Sequence, residues 1–211
     1  MSDAVLPPIV EASFDGLLIR YDERVLAPRP WTVLQARRAA ELLAHLPDGP
    51  LVELCAGAGH IGLAVARRSG RRLVCVDHDP VATAYAAANA ENAGLASRVE
   101  VRLAPVDAAL RADERFPLIL ADPPWVPRED VERYPADPTG AIDGGEDGLD
   151  VARLCLSVAA HHLVSGGVLV LQLGSAEQAD HLRDTARELG LVCAEVLEGE
   201  RGVVVILRPV G

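Results

Sequence analysis

Four consecutive residues, Asp122-Pro123-Pro124-Trp125, carry the densest chemistry in the sequence. Two adjacent prolines fix φ and remove two amide donors. Their carbonyls remain as acceptors, beside the Asp122 side chain and the face of Trp125. Such a group suits a planar NH2: Asp122 and the Pro123 carbonyl each accept one N–H, while Pro124 and Trp125 border the acceptor. A second constellation lies upstream, Glu53-Leu54-Cys55-Ala56-Gly57-Ala58-Gly59-His60-Ile61-Gly62. Glycines at 57 and 59 let the backbone turn sharply and approach a ligand closely. A helix starting there offers free N–H groups to a negative group, and His60 is placed to cap it or touch the ligand. Asp77-His78 ends the next apolar run, where a carboxylate can accept from ribose hydroxyls. Asp107, further on, could accept from an adenine amino group. Gly57-x-Gly59-x-x-Gly62 with an acid downstream fits a dinucleotide or S-adenosylmethionine. A nicotinamide-dependent oxidoreductase is therefore the rival to a methyltransferase. The tetrad, built to grip an NH2 group, favours methyl transfer to nitrogen.

These residues must be carried on strand ends, and the pattern supplies them. Short apolar strands are expected at 51–55, 72–76, 99–103, 116–121 and 168–173. Helical spacing of apolar residues covers 32–46, 60–69, 81–92, 149–164 and 176–189. Residues 191–197 and 203–207 read as a closing antiparallel pair. The alternation predicts a Rossmann-like, doubly wound α/β fold: a seven-stranded, mostly parallel sheet with an antiparallel C-terminal strand pair. Ligands bind such sheets beyond the carboxyl ends of the strands, where the candidate acids lie. Residues 1–30 read as an N-terminal arm with a short hairpin formed by 14–21 and 24–26, and 31–211 as the main domain. The stretch 126–148 is long enough to suggest a functional loop.

Composition narrows the partners. A 211-residue chain with 50% hydrophobic and 24% charged residues is an ordinary globular domain, which excludes a disordered tail. No apolar run reaches the roughly 18 residues of a membrane span, and no signal peptide is visible at Met1-Ser2-Asp3. A cytoplasmic protein with no membrane partner is expected. The net charge is −11, and all 20 basic residues are arginine. That balance weighs against tight binding to bare nucleic acid. Arg67, Arg68, Arg71 and Arg72 read as a solvated face. The four cysteines form no CxxC pair, which suits reduced thiols. His161-His162 lacks accompanying ligands, so no metal is expected.

The tetrad and two further segments resemble a known family. The chain looks like a class I S-adenosylmethionine-dependent methyltransferase of the HemK/PrmC type, the protein-glutamine N5-methyltransferases. Asp122 to Trp125 match the family's [Asn/Asp]-Pro-Pro-aromatic tetrad, Pro28-Arg29-Pro30 its Pro-Arg-Pro segment, and Asp143-Gly144-Gly145-Glu146-Asp147-Gly148-Leu149 its acidic glycine segment. The resemblance covers roughly residues 14 to 208. It implies S-adenosyl-L-methionine as cofactor, held by Glu53, Gly57, Gly59, His60, Asp77, His78, Asp107 and Asp122. It implies Asp122, Pro123 and Trp125 as catalytic residues, with Pro124, Trp125, Arg29 and Trp31 on the acceptor side. The best-matching acceptor is a protein glutamine, as in a release factor. An exocyclic nucleobase amine or a small-molecule amine is the alternative. Two positions depart from the family: Asp122 stands where Asn is usual, and Trp31 where an acid usually follows Pro-Arg-Pro. In length the chain resembles the single-domain eukaryotic and archaeal relatives.

Overall fold

The computed structural model describes residues 6–210. Strands β1 (Val10–Phe14) and β2 (Leu17–Tyr21) form a hairpin. Helix α1 (Val33–Leu43) leads into β3 (Leu51–Leu54), α2 (His60–Ser69), β4 (Leu73–Asp77), α3 (Pro80–Asn92) and β5 (Val99–Leu103). Next come β6 (Phe116–Ala121), α4 (Thr139–Ile142), α5 (Asp150–His162), β7 (Leu163–Leu173), α6 (Ala176–Glu188), β8 (Leu191–Glu198) and β9 (Val203–Pro209). The large sheet has seven strands in the order β5-β4-β3-β6-β7-β9-β8. Only the pairings of β9, with β7 and with β8, are antiparallel. The expected fold is therefore present.

Sequence dictates which strands lie centrally. Every residue of β3 and β6 is buried, as befits strands covered on both faces. Side chains alternate between two cores, as a period of two demands. Leu51, Leu118 and Leu120 face a layer built on α1, α2 and α3. Val52, Leu54, Ile119 and Ala121 face α5 and α6. The chain winds from β3 outward through β4 to β5, then returns to place β6 on the other side of β3. The crevice beyond β3 and β6 is the switch point where such sheets take ligands. No described helix is long and apolar enough to cross a membrane.

Three local expectations are corrected. The hairpin lies at 10–21 rather than at 14–26. Asp15 (φ 47°) and Gly16 (φ 81°) make its turn, the pair of positive φ values that a two-residue hairpin prefers. Residues 24–26 are irregular: the Asp22 carboxylate accepts from the Arg24 N–H and guanidinium, which curls the chain. β7 begins at Leu163, before the glycines expected to precede it, and α5 ends at His162. Its pairing with β6 slips between Phe116 and Leu118, because Pro117 has no N–H for the ladder.

The arginine cluster is partly structural rather than a bare solvated face. Arg68 forms a two-point pair with Asp15, and Arg67 donates to the Gly16 carbonyl, so α2 holds the hairpin turn. Arg71 donates to the carbonyls of Leu43, Leu46 and Pro47. These carbonyls lie at the end of α1 and just beyond it. Arg71→Ala should lower unfolding free energy by about 1–2 kcal/mol, read as a reduced urea midpoint with an unchanged slope.

Candidate active site

The cofactor-side loop begins where β3 ends. Cys55 leaves the strand at φ 57°, followed by Gly57 at φ 54° and Gly59 at φ 79°, and α2 starts at His60. The three glycines serve three ends. A side chain on Gly57 would meet nothing within 4 Å, and Gly57 borders a cavity of about 330 Å³. Gly59 packs against α3, its place for a Cβ lying 3.2 Å from Ala86 Cβ. Gly62 leaves room for the Glu53 carboxylate, which a methyl there would strike.

Glu53 is 2% exposed and lies off the cavity wall. It accepts from the Gly62 N–H, and Cys75 Sγ approaches to 3.7 Å. Burial pushes its pKa up to about 8. It ties α2 to β3. Asp77, ending β4, accepts from the Gly57 N–H at 2.7 Å and from the Asp79 N–H at 2.9 Å. Its side chain is largely buried on the cavity wall, with the exposed His78 alongside. Asp107 is exposed and off the wall; its neighbour Val106 lines the cavity. His60 lines the cavity but caps nothing, since the cap position belongs to Gly59. Its ring meets Phe14 edge-on, neither ring nitrogen has a described partner, and burial lowers its pKa to about 4.

The tetrad follows β6. Asp122 borders both the first cavity and a second of about 170 Å³. Its carboxylate has no hydrogen-bond partner among the described residues, and burial pushes its pKa up to about 7 against the opposing pull of Arg29. Pro123 is buried on the wall of the second cavity. Trp125 stands on the same wall, its ring seated where a Gly174 side chain would be. Gln178 Nε2 donates to the Trp125 carbonyl at 2.9 Å. Gly148 approaches that carbonyl too closely for any side chain. The segment from Asp143 to Leu149 thus folds around the backbone of Trp125, with Asp143 Oδ1 accepting from the Gly145 N–H.

Arg29 and Trp31 also line the second cavity. Arg29 pairs with Asp137 at 2.5 Å, and its guanidinium lies 5.6 Å from the Trp31 ring. Several wall residues had no signal in the sequence. Tyr134 and Asp137 come from the segment after the tetrad, and Arg201 from the distant β8–β9 turn. Gln35, wholly buried, donates from Nε2 to the carbonyls of Ala121 (2.9 Å) and Val170 (3.1 Å), stapling β6 to β7 just before Asp122. Its one clue was its place on the stripe shared with Ala36, Ala39, Leu42 and Leu43. The stretch 126–148 is structured: a 3-10 turn at Arg128–Arg133, then α4, then a bridge from Val126 to Asp143.

Residues 37–135 match the family model described as Methyltransferase small domain. The chain is 34% identical over 182 residues to a release factor glutamine methyltransferase from Moorella thermoacetica, covering 84% of this chain and 64% of that protein. The chain is similar to methyltransferases of the HemK/PrmC type over most of its length. A ribosomal protein uL3 glutamine methyltransferase from Francisella tularensis is 28% identical over 209 residues, covering 95% of this chain and 66% of that one. The chain spans just under two thirds of the length of these two relatives. The T. thermophilus 16S rRNA N2 methyltransferase, in complex with AdoMet and guanosine, shares the fold at a TM-score of 0.70 and 22% identity, covering 98% of this chain and 51% of that one.

The first cavity fits S-adenosylmethionine, the cofactor that the family resemblance implies. The wall has an open glycine, a half-satisfied carboxylate at the end of β4 and the start of α2. The clamp behind it is testable. Glu53 titrates near 4.5 when unfolded and near 8 in the fold. Its stabilising share is therefore full below about 4.5 and is lost as pH rises to about 8. Glu53→Gln should flatten that fall, seen as urea midpoints at pH 5 and pH 8 that differ less than in the wild type.

Proposed function

We propose that this chain is an N-methyltransferase whose acceptor is a glutamine side chain of a protein. The observation that carries this reading is the pair of unclaimed acceptors, the Asp122 carboxylate and the Pro123 carbonyl, at the junction of two cavities. The names of the two relatives, which act on a release factor and on ribosomal protein uL3, support glutamine. We propose residues 31–211 as the methyltransferase domain and 1–30 as an arm that brings Arg29 to the acceptor side. A release factor or ribosomal protein as partner would place the enzyme in the cytoplasm.

Gly57, His60, Asp77, His78 and Asp122 are the residues assigned to the cofactor. Glu53 and Gly59 act on the shape of its loop, and Asp107 is left without a part. When bound, S-adenosylmethionine supplies a methyl group on a sulfonium, open to in-line displacement by nitrogen. On the acceptor side, Asp122 and the Pro123 carbonyl each accept one N–H of the carboxamide. An amide nitrogen is a weak nucleophile because its lone pair is shared with the carbonyl. Fixing both N–H bonds turns that lone pair toward the first cavity, an effect of orientation and electrostatics. A methylated nitrogen would be acidic, and the Asp122 carboxylate would take its proton. Trp125 and Trp31 wall the acceptor from water.

The test is incubation with methyl-labelled S-adenosylmethionine and host lysate, followed by separation of protein from nucleic acid and small molecules. Label is expected in protein. Asp122→Ala should cut kcat at least about 100-fold, a larger loss than any fall in cofactor affinity. Label confined to RNA, DNA or small molecules would overturn the glutamine reading.

A further inference from the structure

A carboxamide presents two N–H donors and one carbonyl acceptor. The tetrad answers the donors, and the carbonyl oxygen needs a donor of its own. The wall of the second cavity offers two cations, Arg29 and Arg201. Arg29 is committed to Asp137 at 2.5 Å. Arg201 forms no ion pair with any described carboxylate. Its guanidinium lies 5.2 Å from the Trp31 ring and 5.9 Å from the Tyr134 ring, and Nη2 is 3.4 Å from the Tyr134 hydroxyl. Two aromatic faces thus orient a planar cation while most of its five N–H donors stay unclaimed.

The turn that carries Arg201 is itself anchored. It joins β8 to β9, and the Gly199 N–H donates to the Gly202 carbonyl at 3.0 Å. Gly202 takes φ 72° and lies so close to the Leu173 carbonyl, at the end of β7, that no side chain fits. The guanidinium is therefore held over the cavity from the end of the sheet.

We propose that Arg201 is a specificity-determining residue that donates to the carbonyl oxygen of the acceptor carboxamide and disfavours ammonium acceptors. This rests on the glutamine reading above. The chemistry assigns Arg201 to binding and not to rate. Donation to the oxygen draws the nitrogen lone pair further into the C–N bond, which does nothing for nucleophilicity. Its gain lies in register: a carboxamide anchored at oxygen and at both N–H bonds has one orientation in the cavity. A lysine ammonium has no carbonyl to offer and leaves the Arg201 donors unanswered.

The experiment uses the full chain with labelled S-adenosylmethionine and the host-lysate protein fraction at graded concentration. Acid hydrolysis of the labelled protein releases labelled methylamine from a methylated carboxamide and leaves methylated lysine intact. In Arg201→Ala the protein concentration giving half-maximal methylamine release should rise about tenfold, with the maximal rate within about twofold. The share of label resistant to hydrolysis should rise. Arg201→Lys, which keeps the charge but loses the planar fork, should fall between. S-adenosylhomocysteine affinity, unchanged in both, reports an intact fold. If the wild type releases methylamine and Arg201→Ala behaves identically, or loses only its maximal rate, the proposal falls and the glutamine reading stands. If the wild type labels protein without releasing methylamine, the glutamine reading falls and takes this proposal with it.

Discussion

A half-buried carboxylate without a donor of its own is the constraint on which this site turns. Burial raises the Asp122 pKa to about 7. A lone buried carboxylate is unfavourable unless something rewards its ionised form. An NH2 group that gives up one N–H, then a proton, is such a reward. The neighbouring structure keeps the group where it is. Gln35 fixes the Ala121 carbonyl immediately before it, the two prolines stiffen the chain after it, and Gln178 holds the carbonyl of Trp125. Asn in the same place would accept one N–H equally well but could not take the proton.

Around that residue the sheet brings together parts of the chain that share no local pattern. The arm contributes Arg29 and Trp31, the segment after the tetrad Tyr134 and Asp137, and the β8–β9 turn Arg201. They are joined by one ion pair and by guanidinium groups stacked on rings. Both tryptophans of the chain lie on this wall.

What the sequence revealed follows from the range of the interactions involved. Strands β5 and β6 and helix α2 fall where period and glycine placement put them, because those signals are local. The acids at the ends of β4 and β6 were legible because a parallel sheet places every strand end on one side. Glu53 meets Gly62 only after α2 folds back across β3, a contact without a local signal. The same glycine completes a pattern that fits dinucleotide loops, yet here it serves a carboxylate contact. Arg201 and Gln35 were silent: a guanidinium over aromatic rings and a buried amide depend on contacts with residues far away in the chain. The hairpin is different, since Asp15-Gly16 is a strong turn signal that was readable in advance.

The most direct measurement is the pH profile of kcat/KM for the wild type beside Asp122→Asn. In the proposed mechanism the ionised carboxylate accepts from the acceptor and takes its proton, whereas the protonated form can accept but cannot take the proton. With the Asp122 pKa near 7, wild-type kcat/KM should climb from pH 6 to pH 8 with an inflection close to 7. The Asn variant should be slower and lack that inflection. A flat wild-type profile, or the same inflection in both proteins, would contradict the role given to Asp122.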